Sequence, residues 1–195
     1  MPRCSRSKSD TITGLEPIVG EAPRILILGS MPGAQSLAKQ AYYIHPRNAF
    51  WNIMAELGLA SIDETYEARV NQLKSSGVAL WDSLKHCVRE TSLDADIDST
   101  TEIANDIEEL LAAHPTIYAV FFNGAKAEEA FRRHVLPSLP QEVTAALRFE
   151  RLPSTSPAHT ILVAEKTRQW QMILRELQLP DSSSKTSRSR TYPSS

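Results

Sequence analysis

The sequence is short of several things, and each shortage excludes a class of protein. It has two cysteines, Cys4 and Cys87, far apart in 195 residues, so neither a disulfide framework nor a thiolate metal cluster organises the chain. Its five histidines are scattered without zinc-ligand spacing. No apolar run approaches the ~18 to 20 residues of a membrane helix. The basic residues of MPRCSRSKSD are followed by no apolar stretch, which argues against a secretion signal. These absences predict an unsecreted protein in a reducing compartment, the cytoplasm of a bacterium or the nucleus of a eukaryote. The net charge is only −2. That weighs against wholesale coating of a polyanion and leaves room for a local basic face. The glycines form no G-x-G-x-x-G, and the Walker Lys-Ser/Thr is absent, so dinucleotide and P-loop sites are disfavoured.

What is present reads as one domain. A hydrophobic content of 42% over this length allows a single sizeable core. Residues 1–22 read as a polar, irregular leader, 23–180 as the domain, and 181–195, DSSSKTSRSRTYPSS, as a disordered Ser/Arg-rich tail. Three short apolar runs read as strands, Arg24 to Leu28, Val78 to Trp81 and Ile117 to Phe122, and Arg148 to Leu152 is a fourth strand candidate. Between them the spacing predicts helices. One carries Phe50, Ile53, Met54 and Leu57 and is closed by Gly58. Others cover 64–74, a face of Ile103, Ile107, Leu110 and Leu111, Ala125 to His134, and Lys166 to Leu177. Cys87 falls in a mixed-charge loop over 85–100. Strands alternating with helices predict an α/β fold with a parallel sheet and helices on both faces. Ligands of such sheets bind beyond the carboxyl ends of the strands. The loops SMPGAQ, DSLK, NGAK and PSTSPA follow the four runs and should converge there.

Several side chains near those loops can carry chemistry. In the first loop, Gly29 and Gly33 let backbone approach a ligand while Pro32 stiffens the turn, so Ser30, Met31 and Gly33 are candidate ligand contacts. Tyr42, Phe50 and Trp51 suit either a stacking wall or the core, and Tyr43 suits the wall. Stacking a base on an aromatic ring is worth about 1–3 kcal/mol. Asn48 and Asn123 offer amides that grip a base edge or orient water. Asn48 could equally cap the helix after it, and Asn123-Gly124 is also a common turn pair. Asp82 could read a base, activate water or cap a turn. Asp94, Asp96 and Asp98 alternate, but the glycine and closing glutamate of a calcium loop are missing, so they read as solvated loop. Ser154 and Ser156, between Pro153 and Pro157, suit phosphate contacts. They lack the G-x-S-x-G elbow of a nucleophile.

Five ordered segments, GSMPG at 29–33, YYIHPRNAFW at 42–51, ALWDSLKHCVRETSLD at 79–94, FNGAKA at 122–127 and LPSTSPA at 152–158, together resemble the uracil-DNA glycosylase superfamily. The likeness is closest to its hypoxanthine-DNA glycosylase (DNA-deoxyinosine glycosylase) branch. The resemblance implies a three-layer α/β/α sandwich around a four-stranded parallel sheet. It implies flipping of a damaged base from double- or single-stranded DNA into the crevice, and hydrolysis of its N-glycosidic bond by a monomer without cofactor or metal. Mismatch-specific uracil glycosylases carry GINPG, whose Asn helps position water. Met31 stands in that place here, which points away from uracil. In the hypoxanthine branch the Asn of HPRNAFW and the Asn of FNG are the important pair, matching Asn48 and Asn123. Tyr43 matches a base-stacking aromatic, Asp82 falls near the base-reading position, and Ser154 and Ser156 fall in the phosphate-contacting loop. That loop in the superfamily also carries an apolar wedge, which PSTSPA lacks. The alternatives are a mismatch-type uracil or thymine glycosylase, an enzyme on free nucleosides and a non-catalytic binder of damaged bases.

Overall fold

A computed structural model describes residues 11–178 of the protein. In chain order the strands are β1 (Ile12–Thr13), β2 (Ile25–Gly29), β3 (Val78–Asp82), β4 (Leu84–Cys87), β5 (Ile103–Ala104), β6 (Ala119–Asn123) and β7 (Arg148–Leu152). The helices are α1 (Ala34–Lys39), α2 (Phe50–Glu56), α3 (Tyr66–Ser75), α4 (Ile107–Ala113), α5 (Ala125–His134), α6 (Gln141–Ala146), α7 (Val163–Trp170) and α8 (Met172–Leu177). The main sheet is parallel, in the order β3-β2-β6-β7. The four expected strands are therefore the four found. β2, β3 and β6 are apolar up to their last residue and buried along their whole length, as a parallel sheet covered on both faces requires. β7, RFERL, is an edge strand with charges facing out, which discourages pairing with another chain.

Other expectations need correction. Residues 11–22 are largely irregular apart from β1, but they pack on the domain instead of standing before it as a leader. Ile18 exchanges two backbone hydrogen bonds with Leu80 and so covers the free edge of β3. The Leu15 carbonyl accepts from the indole of Trp81 and the hydroxyl of Tyr42. Polar residues hid a segment held by its backbone. Ile103 is not on a helix face: it sits in β5, 56% exposed. Cys87 is not in a loop but buried in β4. The last helix breaks at Gln171 into α7 and α8. Gly58, with φ +71°, closes α2 as expected. The tail and Cys4 lie outside the described residues.

β1, β4 and β5 form a second, antiparallel sheet, β1-β4-β5. It has its own small core of Met31, Leu84, Cys87, Ile97 and Ala130. This sheet anchors residues 88–98, closed by an Arg89–Ile97 bridge, against the first loop of the main sheet. No helix among the described residues is long and apolar enough to cross a membrane.

Candidate active site

The carboxyl ends of β2, β3, β6 and β7 bring Gly29 beside Asp82 and Asn123 beside Leu152. Above them lies a cavity of about 860 Å³, at the upper end of the ~300–1,000 Å³ typical of small-molecule sites. All nine site residues expected from the sequence line it.

Asp82 forms the floor. It is 3% exposed, and its Oδ2 has no hydrogen-bond partner. Gly29 makes its position possible, because a Cβ there would come within 2.1 Å of Asp82 Oδ1 and 2.8 Å of the Tyr43 hydroxyl. Gly29, rather than Gly33, is the sterically required glycine of the loop. A Cβ on Gly33 would meet only Ser92, at an ordinary 3.8 Å. Burial, reinforced by the nearby Asp94 carboxylate and only partly offset by Arg89, pushes the Asp82 pKa up to about 8. Tyr43 sits beside it in a left-handed backbone conformation, φ +55°. For a bulky residue this is strain of order 1–3 kcal/mol, of the kind that collects at functional sites. Its ring stacks on Phe50 at 4.2 Å. Burial and the Asp82 charge raise its phenol pKa, against a small opposing pull from the Asn123 amide. Tyr42, Phe50 and Trp51 belong to the core.

The two asparagines are held differently. Asn48, one residue ahead of the α2 N-cap Ala49, accepts on Oδ1 from the Phe50 amide at 3.0 Å and so satisfies the first amide of the helix. Its NH2 group and second carbonyl lone pair stay available to the cavity it lines. Asn123 is buried and latched to Thr155 through both side-chain atoms: Nδ2 donates to Oγ1 at 2.9 Å and Oδ1 accepts from the Thr155 amide at 2.8 Å. One N–H and one lone pair are left over. Thr155, 1% exposed, also accepts from the Ala49 amide. It thereby joins the HPRNAFW, FNG and PSTSPA segments, a role that its hydroxyl gave no sequence signal for.

Asp94 and Arg89 are further residues that sequence reasoning missed. Asp94 stands in an exposed loop, as expected, but it also lines the cavity, and its Oδ1 accepts from Ser30 Oγ at 2.6 Å. Desolvation raises its pKa despite the Ser30 bond and the charges of Arg89 and Lys126. Arg89 is buried and donates to the Met31 and Pro32 carbonyls, fixing the first loop from beneath. No group of histidines, cysteines and carboxylates among the described residues is arranged to hold a metal ion.

Comparison with known proteins decides the family. The model of the uracil DNA glycosylase superfamily matches residues 17–178. The chain belongs to that superfamily. It is 32% identical to a protein of Methanosarcina acetivorans named hypoxanthine DNA glycosylase, over 83% of this chain and 97% of that one. It is 38% identical to a protein of the same name from Methanosarcina barkeri, over 60% of this chain and 73% of that one. A solution NMR structure of a Methanosarcina acetivorans protein described as a candidate uracil DNA glycosylase superposes with a TM-score of 0.72 at 31% identity. That comparison covers 87% of this chain and all of the other.

The last loop of this superfamily member is held by two side chains of α7. The Trp170 indole donates to the Pro153 carbonyl at 2.9 Å, and the buried Lys166 amine to the Ser156 carbonyl at 3.1 Å. Ser154 Oγ accepts from the Ser156 amide and Ser156 Oγ from the Ala158 amide, so each hydroxyl hydrogen remains free to donate. Beyond the loop, Ile161, Leu162 and Val163 stand 38%, 77% and 43% exposed. The wedge missing from PSTSPA has a candidate just after it.

Proposed function

We propose that the protein is a monofunctional DNA glycosylase that hydrolyses the N-glycosidic bond of deoxyinosine, releasing hypoxanthine for base excision repair. The observation that carries this reading is the convergence of Tyr43, Asn48, Asp82 and Asn123 on one cavity, in a chain whose curated relatives are named for hypoxanthine. The base leaves the stack at a cost of a few kcal/mol, roughly, and less when mispaired. Tyr43, braced by Phe50, is the wall on which it stacks. Asn48 positions water near the sugar C1′ and stabilises its developing positive charge. Asn123 offers its spare N–H to the base edge. Ser154 and Ser156 donate to flanking phosphates, and Leu162 fills the vacated stack. Ser30, Met31 and Gly33 shape the other wall. The reaction needs neither cofactor nor metal, and the enzyme works as a monomer on damaged DNA.

A substrate panel tests this. Single- and double-stranded oligonucleotides carrying inosine, uracil or xanthine are incubated with the protein and then treated with alkali to cut abasic sites. Inosine strands should be cleaved fastest, and omission of alkali should leave them intact. Faster release of uracil would move the assignment to a mismatch-type uracil glycosylase. Binding without abasic sites, or turnover of free inosine alone, would end the repair-enzyme reading.

A further inference from the structure

Asp82 is unusual among the charged side chains of the cavity. It is almost fully buried, its Oδ2 lacks any hydrogen-bond partner, and it lines the space a base would occupy. The groups facing it do little to hold it charged. Asp94, from the 3-10 turn Asp94–Asp96, presents a second carboxylate. Tyr42 and Tyr43, from the loop before α2, present phenols whose own ionisation its charge opposes. Arg89 is the opposing cation, but its guanidinium is committed to the Met31 and Pro32 carbonyls. Asp94 is better served, with a hydrogen bond from Ser30 and the charges of Arg89 and Lys126. Asp94 is exposed to solvent and hydrogen-bonded while Asp82 is neither, so a negative charge is held more easily on Asp94 and disfavours a second one on Asp82.

We propose that Asp82 meets the flipped base as a neutral carboxylic acid, with the charge of the pair on Asp94, and donates its O–H to an acceptor on the ring as the glycosidic bond breaks. The bond's electron pair departs with the base, and the Asp82 hydrogen bond strengthens as that charge grows. Water gives its oxygen to C1′ and a proton to the departing base, so the acid is not consumed. A charged carboxylate in the same place would instead repel the leaving electron pair. The proposal rests on the cavity being the base site.

The decisive experiment pairs two measurements. One is an NMR titration of 13C-labelled aspartate in the free protein, with the signals of Asp82 and Asp94 assigned through D82N and D94N. The other is the pH dependence of single-turnover inosine excision by the wild type, both variants and D82A. Asp82 should titrate near 8, and near a lower pH in D94N, because removal of the like charge eases its ionisation. Wild-type excision should fall about tenfold per pH unit above that point. The ring N–H of the base also titrates in alkali, so two variants are the control: D82N, which keeps a neutral donor, should lose the limb owed to Asp82, and D82A, which removes the donor, should work at least ~10²-fold more slowly at neutral pH. Asp82 titrating in the ordinary carboxylate range, or a D82N profile that superposes on the wild type, overturns the proposal. Inactive wild type with Asp82 titrating near 8 refutes the substrate assignment and keeps the neutral acid.

Discussion

Two buried carboxylates in this protein have opposite surroundings. Glu102, with its side chain fully buried beside β5, meets Lys126 Nζ at 2.5 Å, His134 Nε2 at 2.8 Å and Arg133 Nη1 at 3.3 Å. Burial alone would raise its pKa, but hydrogen bonds from Lys126 and His134 and the charges of Lys126 and Arg133 bring it below the ordinary value. Asp82, equally buried, has an unpartnered oxygen, a like charge nearby and a pKa of about 8. A carboxylate that ties β5 to α5 is surrounded by partners. A carboxylate kept open for a ligand is not, and the fold carries the cost.

The contrast predicts stability changes of opposite sign. Glu102→Ala leaves Lys126 and its neighbours without their shared anion, but these cations reach solvent and Lys126 and Arg133 keep Glu129, so the loss of stability should be about 1–3 kcal/mol. Urea unfolding at pH 7 measures it, and excision per folded molecule should stay within a few fold. Because the folded pKa of Glu102 is depressed, its contribution is present above the unfolded pKa and lost as pH falls through the folded value. The gap between wild type and variant should therefore narrow on acidification. A gap that is constant with pH would mean the cations are not what Glu102 serves.

Asn48→Ala should slow inosine excision about 10²–10³-fold, the loss typical of one preorganised electrostatic contact. It also removes the bond to the Phe50 amide, a capping loss of about 1 kcal/mol. Full activity in a variant with the expected small loss of stability would leave Asn48 as a cap and nothing more.

Asp82→Asn should do the reverse of Glu102→Ala to stability: it should give a more stable protein. Between the ordinary aspartate pKa of 3.8 and the folded value of about 8, the folded state holds a proton that the unfolded chain has released. Wild-type stability therefore falls as pH rises through that window and levels off above it. At pH 7 the cost is on the order of 4 kcal/mol, against about 1–3 kcal/mol for burying an amide instead. Thermal melts should place the variant about 1–3 kcal/mol above wild type at neutral pH by this difference, with the advantage shrinking on acidification and reversed near pH 4. A less stable D82N at pH 8 would show that Asp82 is compensated after all.

How much of this was legible in the chain depends on whether the signal is local. β2, β3 and β6 could be read because each is an unbroken apolar run ending in a polar residue, and the polar ends gave the cavity. The second sheet could not. β1 and β5 are two residues each, and β4 reads LKHC, with only its ends buried. The Ser30–Asp94 and Asn123–Thr155 contacts span 64 and 32 residues, and nothing at either end announces the other. Arg89 looked like one more charge in a mixed loop until β4 turned it under Met31. Five motifs in order identified the family, but residues such as Thr155 act through backbone groups that carry no residue-specific mark.

Leu162 separates the work of the rim from that of the floor. With its side chain 77% exposed, it makes little contribution to the core, so Leu162→Ala should unfold within about 0.5 kcal/mol of wild type. On duplex DNA a base leaves a gap when it flips, and an apolar side chain entering that gap offsets part of the unstacking cost. Single-stranded substrate leaves no paired gap to fill. The variant should therefore excise inosine about tenfold more slowly from duplex, a loss of ~1.4 kcal/mol, and at the wild-type rate from a single strand. The duplex defect should shrink when inosine faces a mismatched partner, because a weakened pair needs less help to open. Equal losses on both substrates would instead make Leu162 a support of α7, and the vacated stack would have to be filled from another element of the rim.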